Sequence, residues 1–391
     1  MEPQTTGAII EQHDRQLREA RLAPERVAAL LDRARKEVDD GLLPSAQVAL
    51  AKDGKLVIQA SFGEADDNSL ICIFSATKAI TASAAWLLFA EGLLAEDELV
   101  ADIVPEFASN EKDQVMVGQL FSHTAGFPSA PFAPLDWIDK SRRYGRFTQW
   151  RLNWVPGSRF EYHPSSSMWV IAELIERRTG QTFTNFIQGR VLAPLGLSNL
   201  IVGLPAEANA RTLACVNVGT AMTPAEFREM GLPVPPVTEV TDETILAFNR
   251  PEVRAVGVPG GGGFGGAGDL ALFYQGLLHG GLGDKRIWSD EVLADALRIR
   301  SGELIDPSFK KPANRTLGLV NSGDKSRNFR GFGKTNSAAA FGHNGAGGQL
   351  AWADPASGLS FVYLTPGHDR NVVRRGQRGV AISSLAAVCT G

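Results

Sequence analysis

Residues 71–94 read ICIFSATKAITASAAWLLFAEGLL, in which Ser75 and Lys78 stand between a short apolar lead-in and a long apolar run. The run predicts a buried helix over Ser75–Leu94. It contains polar residues and is shorter than the ~20 apolar residues that a bilayer requires, so it does not indicate a membrane anchor. Residues three positions apart lie on one face of a helix, so the side chains of Ser75 and Lys78 are expected side by side.

This spacing of serine and lysine is suited to nucleophilic catalysis. A serine hydroxyl is a poor nucleophile until a neighbouring base removes its proton. A lysine amine can be that base where burial or a nearby cation favours its neutral form. A helix N-terminus also offers N–H groups that would stabilise a developing oxyanion. Residues 75–78 are therefore a candidate S-x-x-K motif.

The tetrapeptide alone leaves alternatives open. The same spacing occurs at Ser308–Lys311 and Ser322–Lys325, among the Pro, Asn, Gly and charged residues typical of exposed loops. The structural alternative for Ser75 is a helix N-cap, with Lys78 as a solvated side chain of the first turn. Other parts of the sequence must decide between these interpretations.

Two further stretches carry residues suited to the same chemistry. Residues 154–165, WVPGSRFEYHPS, place a turn before Tyr162, which could be directed into a cleft. A packed tyrosine with a satisfied hydroxyl is the more ordinary interpretation. Residues 341–352, FGHNGAGGQLAW, contain glycines that would let a bound acyl group approach a strand edge, or that simply form a turn.

The pattern elsewhere predicts strands at both chain ends and helices between them. Asp53-Gly54 favours a tight hairpin between strands at Ser45–Lys52 and Lys55–Ala60. Further strands are predicted at Gly347–Ala353 and Leu359–Thr365. Helices are predicted at Pro24–Val38, Ser166–Thr179, Thr184–Val191 and Asp269–Leu278. We therefore expect a mixed α/β fold, with a sheet domain of residues 1–74 and 258–391 and a mainly helical domain of residues 75–257.

Bulk composition excludes several classes of partner. The chain has 391 residues, with 39 basic and 43 acidic residues and a net charge of −4. Its length exceeds the roughly 250–300 residues at which single cores stop growing, which predicts two lobes. Because no long run of one charge sign is present, nucleic acid is not an expected partner. The N-terminus lacks the features of a secretory signal, so we expect a cytoplasmic protein.

The sequence offers little support for a metal or a cofactor. The three cysteines lie far apart without C-x-x-C spacing, which favours reduced structural thiols over disulfides. The six histidines form no H-E-x-x-H or comparable pair. The pattern G-x-G-x-x-G at 260–265 follows Pro259 rather than a buried strand, so it does not indicate a dinucleotide site. We expect neither a metal nor a cofactor.

Taken in order, these motifs resemble those of the serine β-lactamase and penicillin-binding-protein superfamily. The resemblance is to class C β-lactamases and, more closely, to family VIII carboxylesterases. The superfamily pattern of S-x-x-K, Y-x-N after W-x-P-G, and K-T-G or H-x-G corresponds to Ser75–Lys78, Tyr162-His163-Pro164 after Trp154–Gly157, and His343-Asn344-Gly345. The stretch Leu120–Pro128 resembles the family's H-T-(S/A)-G loop.

The resemblance implies a fold and a set of roles. The fold would be β-lactamase/transpeptidase-like, with an antiparallel sheet flanked by helices, an inserted helical domain and a catalytic cleft at their junction. Ser75 would be acylated, and Lys78 and Tyr162 would share the general-base and general-acid work. The backbone N–H groups of Ser75 and Ala346 would form the oxyanion hole.

The same resemblance suggests substrate-binding residues. His343 takes the position of the strand lysine that holds a substrate carboxylate in many β-lactamases, and Asn344 and Gly345 complete that motif. His123 and His163 are candidate residues of the cleft, with loop hydrogen bonding as an equal alternative. The near-match Lys334-Thr335-Asn336 lacks the glycine of K-T-G and is the weaker candidate for the strand motif.

Two departures from the family pattern bear on function. Pro164 replaces the asparagine of Y-x-N, and a histidine is a weaker carboxylate anchor than lysine near neutral pH. Both favour hydrolysis of a small-molecule carboxylic ester. An acyltransferase, a β-lactamase or D-amino peptidase, and a catalytically silent binding protein are the alternatives. No membrane partner is expected, and the oligomeric state is open, a homodimer included. The segment Gly203–Pro259 is expected to cover part of the cleft.

Overall fold

The structure is a computed structural model that describes residues 5–232, 234 and 240–390. Its strands are β1 Ser45–Lys52, β2 Lys55–Gly63, β3 Ile71–Cys72, β4 Leu200–Val202, β5 Val216–Val218, β6 Gly263–Gly265, β7 Gly281–Leu282, β8 Lys285–Arg286, β9 Ile305–Asp306, β10 Lys311–Pro312, β11 Val320–Asn321, β12 Phe341–Gly342, β13 Leu350–Asp354, β14 Leu359–Leu364 and β15 Gly367–Asp369. Its α-helices are α1 Thr6–Gln12, α2 Asp14–Glu19, α3 Pro24–Asp39, α4 Thr77–Ala90, α5 Val100–Ile103, α6 Val117–Phe121, α7 Lys140–Gln149, α8 Ser166–Thr179, α9 Phe183–Ile187, α10 Pro224–Glu229, α11 Asp242–Ala247, α12 Pro251–Val256, α13 Ala267–His279, α14 Asp290–Ala296 and α15 Val372–Ala387.

The largest sheet is assembled from both chain ends, as the sequence predicts. Its strand order is β11-β12-β13-β14-β1-β2, and neighbouring strands are antiparallel. The predicted hairpin joins β1 to β2 through Asp53 and Gly54, whose φ angles are 51° and 73°. Two successive positive φ angles are what a two-residue type I′ turn requires, and Asp and Gly tolerate them. Long helical stretches lie between β2 and β11 in the chain.

Helices cover both faces of this sheet. Alternate residues of β1 point to opposite sides. Ala49 and Ala51 join the apolar core that includes α4 and α13, whereas Val48 and Leu50 join the core that includes α3 and α15. Because neither face meets water, β1 has a continuous apolar run from Val48 to Ala51 rather than an alternating pattern. The sheet is therefore a layer between two sets of helices, with α13 packed directly on one face and α3 on the other.

The structure corrects the predicted bounds of the helix after Ser75. Phe74–Ala76 form a 3₁₀ turn, and α4 follows it and ends at Ala90 instead of Leu94. The early end has a local cause, since Gly92 has a φ of 69° and the N–H of Leu93 bonds back to Leu88. This left-handed glycine is the usual terminator of a helix.

Other predicted elements need smaller corrections. Helix α8 has the predicted bounds, and α3 extends one residue further. The helix predicted at Thr184–Val191 begins at Phe183 and becomes a π-helical turn from Gln188. The strand predicted from Gly347 begins at Leu350, because Ala346–Gly348 form a 3₁₀ turn.

The three cysteines are free thiols buried in the structure, as expected from their spacing. Although Cys72 and Cys215 are far apart in sequence, their side chains are neighbours, and burial raises the pKa of the Cys72 thiol. Among the described residues, no helix is both long enough and apolar enough to cross a bilayer.

Candidate active site

Ser75 lies in a tight turn between β3 and α4. The residue before it, Phe74, has a φ of 45°, a left-handed conformation that costs a non-glycine residue roughly 1–2 kcal/mol. The Phe74 side chain is held by an edge-to-face contact with Phe248, whose ring centroid is 5.6 Å away. Ser75 itself is only half-buried, so its hydroxyl can be reached from the cleft. Phe248 belongs to the segment expected to cover part of this cleft, of which residues 233 and 235–239 lie outside the described structure.

Lys78 is fully buried and lies beside Ser75, as the helical spacing predicts. Its Nζ is 3.4 Å from Ser75 Oγ. The same nitrogen donates to the carbonyl oxygens of Pro164 at 2.6 Å and Gly260 at 2.7 Å. A neutral amine has two N–H donors, so these carbonyls can take both and leave the lone pair for the serine proton. The three contacts of Lys78 Nζ can therefore be made by the neutral amine, which acts as a base, and by the protonated ammonium.

Tyr162 lies beside Lys78 and His123. Its ring centroid is 5.1 Å from Lys78 Nζ and 4.8 Å from the ring of His123. Its hydroxyl is buried, yet it has no hydrogen-bond partner among the described residues. Buried hydroxyls are normally hydrogen-bonded. An unpartnered hydroxyl beside the Ser75–Lys78 pair is free to bond an atom of a bound substrate.

His123 and His163 hold the tyrosine loop in place. The backbone N–H of His163 donates to His123 Nδ1 at 3.2 Å. His163 Nδ1 lies 2.7 Å from the carbonyl of Glu161, and its Nε2 accepts from the N–H of Phe127 at 3.1 Å. These bonds put the proton of a neutral imidazole on Nδ1. Hydrogen bonds of this kind are expected if the two histidines stabilise the loop rather than bind substrate. They hold the backbone on both sides of Tyr162, at Glu161 and His163.

The three imidazoles around the site are held neutral. Burial lowers the pKa of His163 to about 4. Burial also lowers the pKa values of His123 and His343, and the nearby Arg315 guanidinium lowers both further. The site therefore has no histidine cation near neutral pH.

His343 contacts an arginine that the sequence interpretation missed. The Nη1 of Arg315 is 3.3 Å from His343 Nε2, and the opposite nitrogen of His343 lies 2.8 Å from the carbonyl of Asn344. The positive charge beside His343 belongs to Arg315. No local signal separates Arg315 from the other arginines of the sequence, because its contact with His343 spans 28 residues.

Asn344 and Gly345 have structural contacts in this loop. The Asn344 side chain donates to the carbonyl of Gly331 and accepts from the N–H of Ala351, so it joins two backbone segments. Gly345 lies so close to the strand before Ser75 that a Cβ there would be 2.3 Å from the carbonyl oxygen of Ile73. Any larger residue would push the loop away from the nucleophile.

The close approach of Gly345 to Ile73 joins the loops that precede the two amides expected to form the oxyanion hole. Gln349 ties the loop to β3, since its Nε2 donates to the carbonyl of Cys72 at 2.8 Å. Within the described part of the chain, the N–H groups of Ser75 and Ala346 have no acceptor. Two unused donors on adjoining turns are suited to a developing negative charge on oxygen.

The alternative motif matches lie elsewhere. Ser308 is exposed in the turn between β9 and β10, and Ser322 follows β11. The near-match at 334–336 packs against α15, where Lys334 N–H and Thr335 Oγ1 donate to Ser384. None of these joins the Ser75 cluster. Among the described residues, no group of His, Cys, Asp and Glu is arranged to hold a metal ion.

We expect the buried imidazoles to make the fold sensitive to mild acid. The pKa of His163 is about 4 in the folded state and about 6.5 in the unfolded chain, so the unfolded chain binds more protons between these values. The free energy of unfolding should therefore fall as the pH falls, by about 2 kcal/mol between pH 7 and pH 5 from His163 alone. Urea unfolding at both pH values measures this loss. A variant His163→Gln should lose less, and equal stability at both pH values in the parent protein would contradict the prediction.

Comparison with known proteins identifies related chains. A protein-family model described as Beta-lactamase matches residues 27–384. The esterase/beta-lactamase LipL of Mycobacterium tuberculosis is 26% identical over 346 residues, covering 81% of this chain and 76% of LipL. The crystal structure of a family VIII carboxylesterase superposes with a TM-score of 0.75 and 28% identity, over 93% of this chain and 97% of that one. A penicillin-binding protein homologue from Caulobacter crescentus gives a TM-score of 0.74 and 26% identity, over 94% and 98% of the two chains.

Proposed function

The chain belongs to the beta-lactamase family and has its serine-hydrolase fold, and from that premise we propose that it cleaves carboxylic esters through an acyl-enzyme at Ser75. One observation carries the proposal. The Nζ of the buried Lys78 lies 3.4 Å from Ser75 Oγ and has two backbone carbonyls to accept its own protons. That is the environment a serine hydroxyl needs in order to lose its proton.

In acylation, Lys78 Nζ takes the proton of Ser75 Oγ while Oγ attacks the ester carbonyl carbon. The carbonyl oxygen becomes negative and is stabilised by the N–H groups of Ser75 and Ala346. The bond to the alcohol oxygen then breaks, and Tyr162 Oη donates a proton to that oxygen. Lys78 returns its proton to Tyr162, so the two residues end as they began.

Deacylation reverses these roles with water as the nucleophile. Tyr162 and Lys78 accept a proton from the water as its oxygen attacks the acyl carbon. The same two amides stabilise the second oxyanion, and the proton is returned to Ser75 Oγ when the acyl bond breaks. The products are a carboxylic acid and the free enzyme.

The preference for esters rests on Pro164 and His343. Pro164 has no side-chain amide to bond a substrate amide, and its carbonyl is already used by Lys78. His343 is neutral because burial lowers its pKa, so it offers no charge to a carboxylate. Two of the related proteins carry esterase or carboxylesterase in their names, and one of these names also includes beta-lactamase. β-Lactam turnover is therefore the second candidate function.

A mass-spectrometric panel tests the proposal. The purified protein is mixed with p-nitrophenyl esters of short acids, with nitrocefin, and with an ester plus a competing alcohol or amine. We expect release of nitrophenol and a transient mass increase equal to the acyl group, which peptide mapping places on Ser75. Products containing the added alcohol or amine would instead support acyl transfer. Absence of turnover and of any adduct would overturn the proposal and favour a silent binding protein.

A further inference from the structure

Two cysteine side chains meet beside the strand that leads to the nucleophile. Cys72 lies in β3, three residues before Ser75, and Cys215 immediately precedes β5. Both belong to one small apolar cluster that also contains Phe74 and Phe264. The two side chains are within hydrogen-bonding reach of each other. A chemical change at this pair would therefore occur next to the reacting serine.

Backbone hydrogen bonds hold the two segments side by side. Leu70 pairs with Thr212 in a parallel bridge. The N–H of Leu70 donates to the carbonyl of Arg211 at 2.9 Å, and the N–H of Leu213 donates to the carbonyl of Leu70 at 3.0 Å. The cysteines follow two and three residues further along these parallel segments. The fold itself thus brings the sulfur atoms together.

A buried arginine beside the pair lacks a carboxylate partner. The Arg254 guanidinium donates to the carbonyl of Phe248 at 2.7 Å and to Asn209 Oδ1 at 2.9 Å. Within the described residues no carboxylate forms an ion pair with it, and the negative charges that act on it are those of the two ionised thiols. The buried Arg143, by contrast, bonds two glutamates. Because an unpaired buried guanidinium is costly, a thiolate beside Arg254 would offset that cost.

The two sulfur atoms have different environments. Cys72 Sγ lies 3.6 Å from the carbonyl oxygen of Gly261, and burial raises the pKa of its thiol. The hydrogen bond from Cys72, and after it the charge of Arg254, lower the pKa of Cys215. The thiolate is the reactive form of cysteine. Cys215 is therefore the reactive sulfur, and the residues on either side of it are exposed, so it lies close to the surface.

We propose that a hydroperoxide oxidises Cys215 and Cys72 to a disulfide that lowers the activity of Ser75. The Cys215 thiolate attacks one oxygen of hydrogen peroxide, the O–O bond breaks and hydroxide leaves, which gives a sulfenic acid. The Cys72 sulfur then attacks the sulfenic sulfur. The S–S bond forms, the S–O bond breaks, and the hydroxide leaves as water with the thiol proton. Overall, two thiols and one peroxide give one disulfide and two water molecules.

The disulfide acts on the nucleophile through β3. Its sulfur atoms are about 2.05 Å apart, closer than two thiols can approach, so a backbone segment must shift when the bond closes. The Cys72 carbonyl accepts from Gln349, the residue that ties the loop of the expected oxyanion hole to β3. A misplacement of ~1 Å can cost about 10²-fold in rate. We expect kcat/KM to fall about 10-fold to 100-fold, an effect that rests on the proposed function for the activity measured.

Mass spectrometry and ester turnover of the same samples test the proposal. The reduced protein is treated with hydrogen peroxide, quenched with catalase, then denatured and labelled with iodoacetamide. We expect the loss of two hydrogens, a peptide pair that joins Cys72 to Cys215, and a label on Cys389 alone. Turnover of a p-nitrophenyl ester should fall as the disulfide forms and return with dithiothreitol.

The third cysteine supplies a matched control. Cys389 is also buried, but in the other core, and burial raises its pKa to about 12. Cys389→Ser should lose activity in peroxide as the parent protein does. Cys215→Ser should have the activity of the reduced parent and keep it in peroxide. Arg254→Gln should slow disulfide formation, because the Cys215 thiolate loses its neighbouring cation.

The two readouts overturn different parts of the proposal. A peroxide-treated parent protein without the Cys72–Cys215 disulfide, or with a higher oxide on Cys215 instead, would reject the oxidation site. This result needs no ester activity, so it is decided even if the reduced protein cleaves no ester and the proposed function fails. Full turnover by the disulfide form, or equal inactivation of Cys215→Ser by peroxide, would reject the effect on Ser75.

Discussion

Replacing Ser75 by alanine is expected to lower kcat/KM for a short-chain p-nitrophenyl ester by about four orders of magnitude or more. The loss is large because Ser75 Oγ is the hydroxyl that Lys78 Nζ contacts among the described residues, and the proposed acyl-enzyme cannot form without it. The structural cost should be small, since the Ser75 hydroxyl contacts only Lys78 among the described residues. Stopped-flow or steady-state release of nitrophenol measures the loss.

The decoy serine of the same spacing supplies the control. Ser308 lies in an exposed turn, and Ser308→Ala should retain full activity. Its assay uses the same ester and the same protein concentration. Activity that survives Ser75→Ala but disappears in Ser308→Ala would reject the assignment of the nucleophile.

Replacing Tyr162 by phenylalanine should separate activity from stability. We expect kcat to fall by about 10²-fold to 10⁴-fold, the usual contribution of a positioned acid or base. The free energy of unfolding should stay the same or rise, because the hydroxyl is buried without a partner and its removal breaks no hydrogen bond. Ester turnover and urea unfolding of the same preparation measure the two quantities.

Tyr363 offers a matched control for this variant. Its hydroxyl is likewise buried without a partner in the described structure, but it lies in β14 on the side of the sheet that packs against α3 and α15. Tyr363→Phe should resemble Tyr162→Phe in stability and the parent protein in activity. If both variants lost activity equally, Tyr162 would have no special part in the reaction.

Local patterns in the sequence were enough to predict the frame of the molecule. The Asp53-Gly54 dipeptide predicts the hairpin, because a two-residue turn needs positive φ angles at both positions and these two residues tolerate them. The spacing of Ser75 and Lys78 dictates their contact, because one helical turn separates them. The strand patterns at both ends of the chain predicted a sheet built from both ends, and the order of the motifs led to the family.

Features that depend on distant contacts could not be predicted in this way. Arg315 belongs to the site because it contacts His343 and the ring of Tyr162, and no local sequence pattern relates it to either residue. The left-handed φ of Phe74 is sustained by packing against Phe248, far along the chain. The Asn344 side chain looked available for a substrate, but its bonds to Gly331 and Ala351 use both ends of its amide.

The pairing of β1 with β14 also governs how the chain can fold as it is synthesised. Leu359 pairs with Lys52 although roughly 300 residues separate them, and at about 5–20 residues per second a ribosome needs on the order of 15–60 s to supply the missing strand. During that time one edge of the apolar strand β1 has no neighbour, which is the condition under which strands aggregate. Yield of the native protein should therefore depend on chaperones and on translation speed more than its final stability would suggest.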